Sequence, residues 1–322
     1  MPDSSRSADN NKPLAMVRLA SPRGFCAGVD RAVRTVEDAL ARFGAPVYVR
    51  HEIVHNAHVV RRLKAMGAVF VEELADVPAD RPVIFSAHGA SRAAHEEAER
   101  RGLIAVDATC PLVLKVHNEV RRHAGIGRHV ILIGHAGHPE VIGTMGQAPA
   151  GAVSLVETIA DAERIAPPAA SLAYVTQTTL SVDDASAIIG VLTRRFPAIA
   201  GPRKSDICYA TSNRQDAVKK IAPGADIVLV VGSRASSNSN RLVDAALAAG
   251  ARRACLVEDP ANADLAISDG AGVIGVTSGA SAPEDLVEVL LARLAERFTL
   301  RIETIDTVAE DVVFKQPMML AS

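Results

Sequence analysis

Residues 24–44 read GFCAGVDRAVRTVEDALARFG, and their pattern decides the fold. Behind Cys26 the apolar residues Val29, Val33, Val36, Leu40 and Phe43 recur at spacings of four and three, the signature of one helix face, and Gly44 stands where a C-terminal cap belongs. The same plan returns twice. After Cys110 the positions Val113, Val116, Val120 and Ala124 lead to Gly125, and after Cys208 the residues Thr211, Ser212 and Asn213 offer caps for a helix through Val218 and Ile221 to Gly224. Each of three cysteines is expected just before a helix.

The distances downstream of these cysteines also recur. His55 lies 29 residues after Cys26, His138 lies 28 after Cys110, and Ser236 lies 28 after Cys208. A second polar cluster follows in each unit: His88 in SAHGAS, 62 residues after its cysteine, Thr178 in TQTTLS, 68 after, and Ser281 in SGASAP, 73 after. Short β-branched runs at 47–49, 83–86, 130–133, 172–176, 227–231, 254–257 and 273–276 alternate with the helical patterns. Such alternation predicts an α/β fold with largely parallel sheets. Three pseudo-repeated α/β domains follow, at 14–109, 110–207 and 208–296, with a flexible leader at 1–13 and a tail at 297–322 packing back on the body. Loops at the carboxyl ends of parallel strands line the binding crevice, so the polar loop pairs and the cysteines are expected to face one region.

Composition narrows the function classes. Of 322 residues, 48% are hydrophobic, enough to bury a substantial core, and 35 Lys and Arg against 37 Asp and Glu leave a formal charge of -2. That balance recruits neither nucleic acid nor an anionic membrane, and 3% aromatics with no tryptophan lack the stacking platforms of single-strand binders. No apolar run approaches the roughly 20 residues of a membrane span, and the start MPDSSRSADNNKP has no signal-peptide core, so a cytoplasmic protein is expected. Four scattered cysteines are no disulfide scaffold. Cys255, inside ACLV, reads as a small core residue of a buried strand.

Three convergent cysteines at helix N-termini suit a metal, because free N–H groups and a partial positive charge stabilise thiolates there. Zinc normally takes a fourth protein ligand and short paired spacings such as C-x2-C, absent here, whereas an iron–sulfur cluster accepts isolated cysteines from separate segments. Three thiolates on a four-iron cube leave one iron open as a Lewis acid. His55, His88 and His138 with Ser236, Ser237, Asn238 and Ser281 supply donors in short loops that open helices, a setting for a phosphate or diphosphate. Glu140, in GHAGHPE, is placed to act as a general acid. The other seven histidines have no place in the repeat and are expected to be mostly solvated or structural.

With these residues in place, the chain resembles the 4-hydroxy-3-methylbut-2-enyl diphosphate reductase family from about Leu19 to Pro317. The motifs are SPRGFCAGVDRA, YVRHEIVHN, FSAHGAS, DATCPLVLKVH, LIGHAGHPEVIGTMGQ, TQTTLSVDD, GPRKSDICYATSNRQ, VVGSRASSNSNRL and GVTSGASAPEDLV, in that order. The resemblance implies a three-lobed trefoil around one central [4Fe-4S] cluster, with Cys26, Cys110 and Cys208 as its three ligands. It implies a diphosphate held by His55, His88, His138, Ser236, Ser237, Asn238 and Ser281, with Glu140 supplying protons, Thr178 near the substrate hydroxyl and Thr211 in the same polar wall. The implied reaction is reductive dehydroxylation to isopentenyl or dimethylallyl diphosphate. With no GxGxxG between a strand and a helix and no flavin signature, the electrons are expected from a separate ferredoxin or flavodoxin. Two rivals stay open at this point: a hydro-lyase using the same open iron without net electron transfer, and a redox sensor or electron carrier without affinity for an allylic diphosphate.

Overall fold

The computed structural model describes residues 12–317, so residues 1–11 of the expected leader and 318–322 of the expected tail lie outside the described residues. In chain order the elements are β1 (Leu14–Ser21), α1 (Ala27–Phe43), β2 (Val47–Arg50), α2 (Ala57–Ala65), β3 (Ala68–Val71), β4 (Pro82–Phe85), α3 (Arg92–Arg100), β5 (Ile104–Asp107), α4 (Pro111–Gly125), β6 (His129–Ile133), α5 (Pro139–Met145), β7 (Val153–Val156), α6 (Ile159–Arg164) and β8 (Leu172–Thr176). They continue with α7 (Val182–Arg195), α8 (Tyr209–Ile221), β9 (Ile227–Val231), α9 (Ser237–Ala248), β10 (Ala254–Val257), β11 (Val273–Ser278), α10 (Glu284–Arg297) and β12 (Thr299–Asp306). The strands form three sheets, ordered β10-β9-β11-β1-β12, β3-β2-β4-β5 and β7-β6-β8. Every strand pairing is parallel, as the alternation of strand and helix predicts. Among the described residues no helix is long and apolar enough to cross a membrane.

The described residues divide into two compact units, one made of residues 26–212 and 311–317, the other of 12–25 and 213–310. In the first, the β6 run HVILI is buried throughout, and its alternation sends Ile131 and Ile133 into a cluster with Ile188 and Leu192 of α7, while Val130 and Leu132 meet Val116 and Val120 of α4. A parallel strand covered on both faces needs this continuous apolar sequence. In the second, β9 does the same: Ile227, Leu229 and Val231 face the α10 residues Val287, Leu290 and Leu294, while Val228 and Val230 face Val218 and Ile221.

The strand at residue 14, where the first expected domain opens, joins the sheet of the later strands: β1 lies between β11 and β12, and its residue Leu14 is opposite Thr299. Cys255 lies in a strand as expected, but β10 is the edge of its sheet, which leaves the thiol half-buried against the core. The third cysteine-led helix also differs from expectation. It begins at Tyr209, because the amides of Thr211 and Ser212 already donate to the Cys208 carbonyl at 3.0 and 3.1 Å, so Thr211–Asn213 lie within its first turns.

Candidate active site

In the unit formed by residues 26–212 and 311–317, the predicted residues follow the carboxyl ends of strands: His55 after β2, His88 after β4, Cys110 after β5, His138 and Glu140 after β6, Thr178 after β8. Cys26 and Cys110 occupy the N-cap positions of α1 and α4, and Cys208 directly precedes α8. The loops are tied through their backbones. The Cys110 amide donates to the carbonyl of Ala87 at 3.0 Å, joining the cysteine loop to the His88 loop, and the Cys208 amide donates to the carbonyl of Thr178 at 3.0 Å.

The three half-buried sulfurs share one neighbourhood. A Cβ added to Gly28, in the first turn of α1, would stand 2.6 Å from Cys110 Sγ and 3.8 Å from Cys26 Sγ, so only glycine lets this helix approach so closely. Thr211 contacts Cys208 Sγ through its amide at 3.4 Å and its hydroxyl at 3.1 Å. The helix N-termini were expected to favour thiolates, and amides do pull the thiols down, from Leu112 and Val113 at Cys110 and from Thr211 at Cys208. Burial prevails, reinforced by repulsion from the neighbouring sulfurs: Cys110 is pushed up to about 12 and Cys208 to about 11. Cys110 and Cys208, raised this far, ionise together only if a cation balances them.

Among the described residues no three His, Cys, Asp or Glu side chains could hold a single metal ion. A cubane has a different requirement, since each thiolate takes its own iron and the sulfurs stand farther apart than around one ion. Three half-buried thiols in one neighbourhood, two of them in need of a balancing cation, fit such a cluster.

Beside Cys208 lies Glu140, in the first turn of α5 and 2% exposed. Its Oε1 accepts from the Thr178 amide at 2.6 Å and its Oε2 from the Thr178 hydroxyl at 3.0 Å, which fixes the carboxyl plane. Burial outweighs these bonds and raises its pKa to about 7, with Asp206 adding to the rise. Asp206 is itself fully buried. It accepts from Lys115 Nζ at 3.0 Å and from the Thr176 amide at 3.1 Å, while the same ammonium reaches the carbonyls of Lys204 and Ser205. Lys115 and Asp206 thus pin the loop before Cys208 to α4 and to the end of β8, a role that sequence reasoning missed.

The three histidines gather as a group. The His55 and His88 rings stack at 4.2 Å between centroids, and His138 meets them edge-on at 5.5 and 5.8 Å. The Glu140 amide donates to His138 Nδ1 at 3.1 Å, so the proton of the neutral ring sits on Nε2. Burial lowers His138 to about 4 and His88 well below its ordinary value, with the neighbouring imidazoles adding to both shifts. Burial and mutual repulsion hold the His88 and His138 rings neutral, and an anion set among them would favour their charged forms.

In the unit formed by residues 12–25 and 213–310, Ser236 caps α9 with its hydroxyl 3.4 Å from the Ser239 amide, and the Ser281 hydroxyl lies 3.5 Å from that of Ser236. Ser237 opens the helix. Asn238 is 4% exposed, yet among the described residues neither its Oδ1 nor its Nδ2 has a partner, and the same holds for the hydroxyls of Ser239, Thr277 and Ser278. Ser239 and Asn238 crowd one spot, since a Cβ on Gly279 would lie 2.1 Å from Ser239 Oγ and 3.0 Å from Asn238 Nδ2. Buried polar atoms without partners cost about 1–3 kcal/mol each, so a group of them is explained by a ligand that completes it. Cys255, in this unit, packs against the apolar core of its sheet.

A family profile described as LytB protein matches residues 17–295. The 4-hydroxy-3-methylbut-2-enyl diphosphate reductase of Hyphomonas neptunium is 59% identical over 311 residues, 96% of this chain and 99% of that one, and the enzyme of the same name from Phenylobacterium zucineum is 58% identical over 312 residues, 97% and 99%. Among solved structures, the E-1-hydroxy-2-methyl-but-2-enyl-4-diphosphate reductase of Plasmodium falciparum superposes with a TM-score of 0.89 at 41% identity, covering 96% of this chain and 97% of that one. A second reductase structure, described as the terminal enzyme of the non-mevalonate pathway, gives 0.62 at 31% identity over 88% and 99%. By profile, by near full-length identity and by fold, the chain belongs to the LytB family of 4-hydroxy-3-methylbut-2-enyl diphosphate reductases.

Proposed function

We propose that the chain carries out the reductive dehydroxylation of (E)-4-hydroxy-3-methylbut-2-enyl diphosphate to isopentenyl and dimethylallyl diphosphate, using a [4Fe-4S] cluster held by Cys26, Cys110 and Cys208. The observation that carries the site assignment is Glu140, a buried carboxyl with a pKa of about 7, fixed by Thr178, whose own carbonyl takes the Cys208 amide. When bound, the cluster supplies electrons and, at an iron without a protein thiolate, Lewis acidity.

The remaining chemistry belongs to side chains. Near neutral pH a substantial fraction of Glu140 carries a proton, which is what protonating a departing hydroxyl requires. Thr178 holds the carboxyl in one orientation with two donors, and it is assigned a place near the substrate hydroxyl. His55, His88 and His138 take the diphosphate, His138 through the Nε2 proton that the Glu140 amide assigns to it. Ser236, Ser237, Asn238 and Ser281 are assigned to the same anion, on the unpartnered amide of Asn238 and on their motifs, and Thr211 to the wall beside Cys208. The electrons come from a ferredoxin or flavodoxin.

The test is turnover of the allylic diphosphate by the anaerobic holoenzyme with an artificial one-electron reductant and without it. Conversion to the two isoprenoid diphosphates only with the reductant supports the reading; water loss or addition without reductant replaces it with hydro-lyase chemistry.

A further inference from the structure

The buried face of α1 carries a guanidinium that the chemistry above does not use. Arg31 is 8% exposed, and among the described residues it makes no ion pair with a carboxylate. Its Nη1 donates to the carbonyl of Thr109, the residue before Cys110, at 3.1 Å, and its Nε donates to the carbonyl of Lys315 at 2.7 Å. One turn later Thr35 donates to the Gln316 side chain at 3.0 Å, so the segment near the C-terminus is held twice by this helix. Gly28, three residues before Arg31 and therefore on the same helix face, is the residue whose Cβ would strike Cys110 Sγ. Burial opposes the charge of Arg31, and the groups that counter burial are Asp107 first and Cys110 second. A buried cation held by carbonyls is strongly destabilising unless negative charge lies nearby.

We infer that Arg31 is a positioning residue for the cluster: it ties the Cys110 loop to the C-terminal segment and sets a fixed positive charge beside the Cys110 edge of the cluster, making the cluster easier to reduce. This rests on the reading of Cys26, Cys110 and Cys208 as ligands. Charge and hydrogen bonding around the sulfurs are among the factors that set cluster potentials, and a one-electron reduction adds negative charge that a nearby guanidinium stabilises in a low-dielectric setting. Asp107 works against it. Its carboxylate accepts from the Thr109 amide at 2.9 Å and from the Thr109 hydroxyl, and an asparagine there keeps an acceptor oxygen while removing the charge.

The experiment is a potentiometric titration of the anaerobic holoenzyme followed by electron paramagnetic resonance, with iron and sulfide counted in each sample, on the wild type, Arg31→Gln, Arg31→Lys and Asp107→Asn. Arg31→Gln is expected to lower the reduced-to-oxidised ratio at a fixed applied potential about tenfold, a shift of about 59 mV to more negative values for one electron. Arg31→Lys, which keeps the charge, stays within about twofold of the wild type, and Asp107→Asn shifts the opposite way. A structural role alone does not produce shifts of opposite sign. Equal shifts in the Gln and Lys variants, no shift in Arg31→Gln, or an unmoved Asp107→Asn overturns the inference. If Arg31→Gln fails to retain its cluster, the direction of the Asp107→Asn shift decides. A wild-type chain without iron and sulfide overturns the cluster assignment itself, whereas an intact cluster with unmoved potentials overturns the role of Arg31 alone.

Discussion

Glu140 and Asn238 are both almost fully buried, and the fold treats them in opposite ways. Both oxygens of Glu140 are occupied by Thr178, and the loop beyond is cleated by Lys115 and Asp206, so this region is organised before any ligand arrives. Asn238 has neither amide atom partnered, and Ser239, Thr277 and Ser278 share that condition. On the proposed roles, the group that holds a proton at one place is preorganised by the protein, and the groups assigned to the anion are left for the anion to complete. Preorganisation serves the chemical step, where misplacement costs rate. The unsatisfied groups store a desolvation penalty that binding relieves.

Glu140→Gln breaks this comparison on the chemical side and carries the largest expected effect among the site variants. The amide keeps the volume and can still accept from Thr178 but cannot deliver a proton, so turnover falls about 10²- to 10⁴-fold while equilibrium binding of the diphosphate changes little. Rate constants and binding constants measured together check this; lost affinity would move Glu140 into the anion site.

Asn238→Ala sharpens the other side. Removing both unpartnered atoms weakens diphosphate binding by about 1–3 kcal/mol, roughly 5- to 150-fold, with little change in single-turnover rate at saturation. The unliganded protein is no less stable in urea than the wild type, because the substitution deletes a buried penalty rather than a bond. A large loss of unliganded stability would show that Asn238 is a structural residue.

The pH dependence gives a smaller effect and a defined sign. Glu140 is raised from its ordinary 4.5 to about 7, so the protonated donor is available below about 7 and the rate falls about tenfold per pH unit above it. Its contribution to folding stability runs the same way: the folded pKa exceeds the unfolded one, so the contribution is fully present below 4.5 and lost as pH rises through about 7. His138 has the opposite sign. Lowered from 6.5 to about 4, it contributes stability above 6.5 that is lost as pH falls through about 4. In the empty site at pH 7 the His138 and His88 rings are neutral, and an arriving diphosphate raises their pKa values, so its binding is expected to take up protons. Calorimetry in buffers of different ionisation enthalpy measures that uptake; its absence would remove these imidazoles from the anion site.

The sequence made much of this legible because the signals were local. The four-and-three spacing after Cys26 and Cys110 yielded α1 and α4, and the unbroken apolar runs yielded β6 and β9. What stayed hidden depends on partners distant in the chain. The polar and apolar mixture of LAMVRLAS acquires its place only beside TLRIETID, nearly 300 residues later. Lys115, Asp206 and Arg31 carry charges that in sequence suggest solvent, and only the packed loops show that each is spent on a backbone carbonyl or a buried partner. The thiol pKa values reversed expectation for the same reason: helix N-termini can be read locally, burial among other sulfurs cannot.

The central claim, that Cys26, Cys110 and Cys208 together hold one cluster, is tested most directly by counting iron and sulfide in anaerobically reconstituted wild-type chain and in the four single Cys→Ser variants. The account predicts four irons and four sulfides per wild-type chain, an unchanged count in Cys255→Ser, and emptied or degraded clusters in each of the other three. A Cys255→Ser chain that loses its cluster, or a Cys26→Ser, Cys110→Ser or Cys208→Ser chain that keeps a full complement and wild-type turnover, would contradict it.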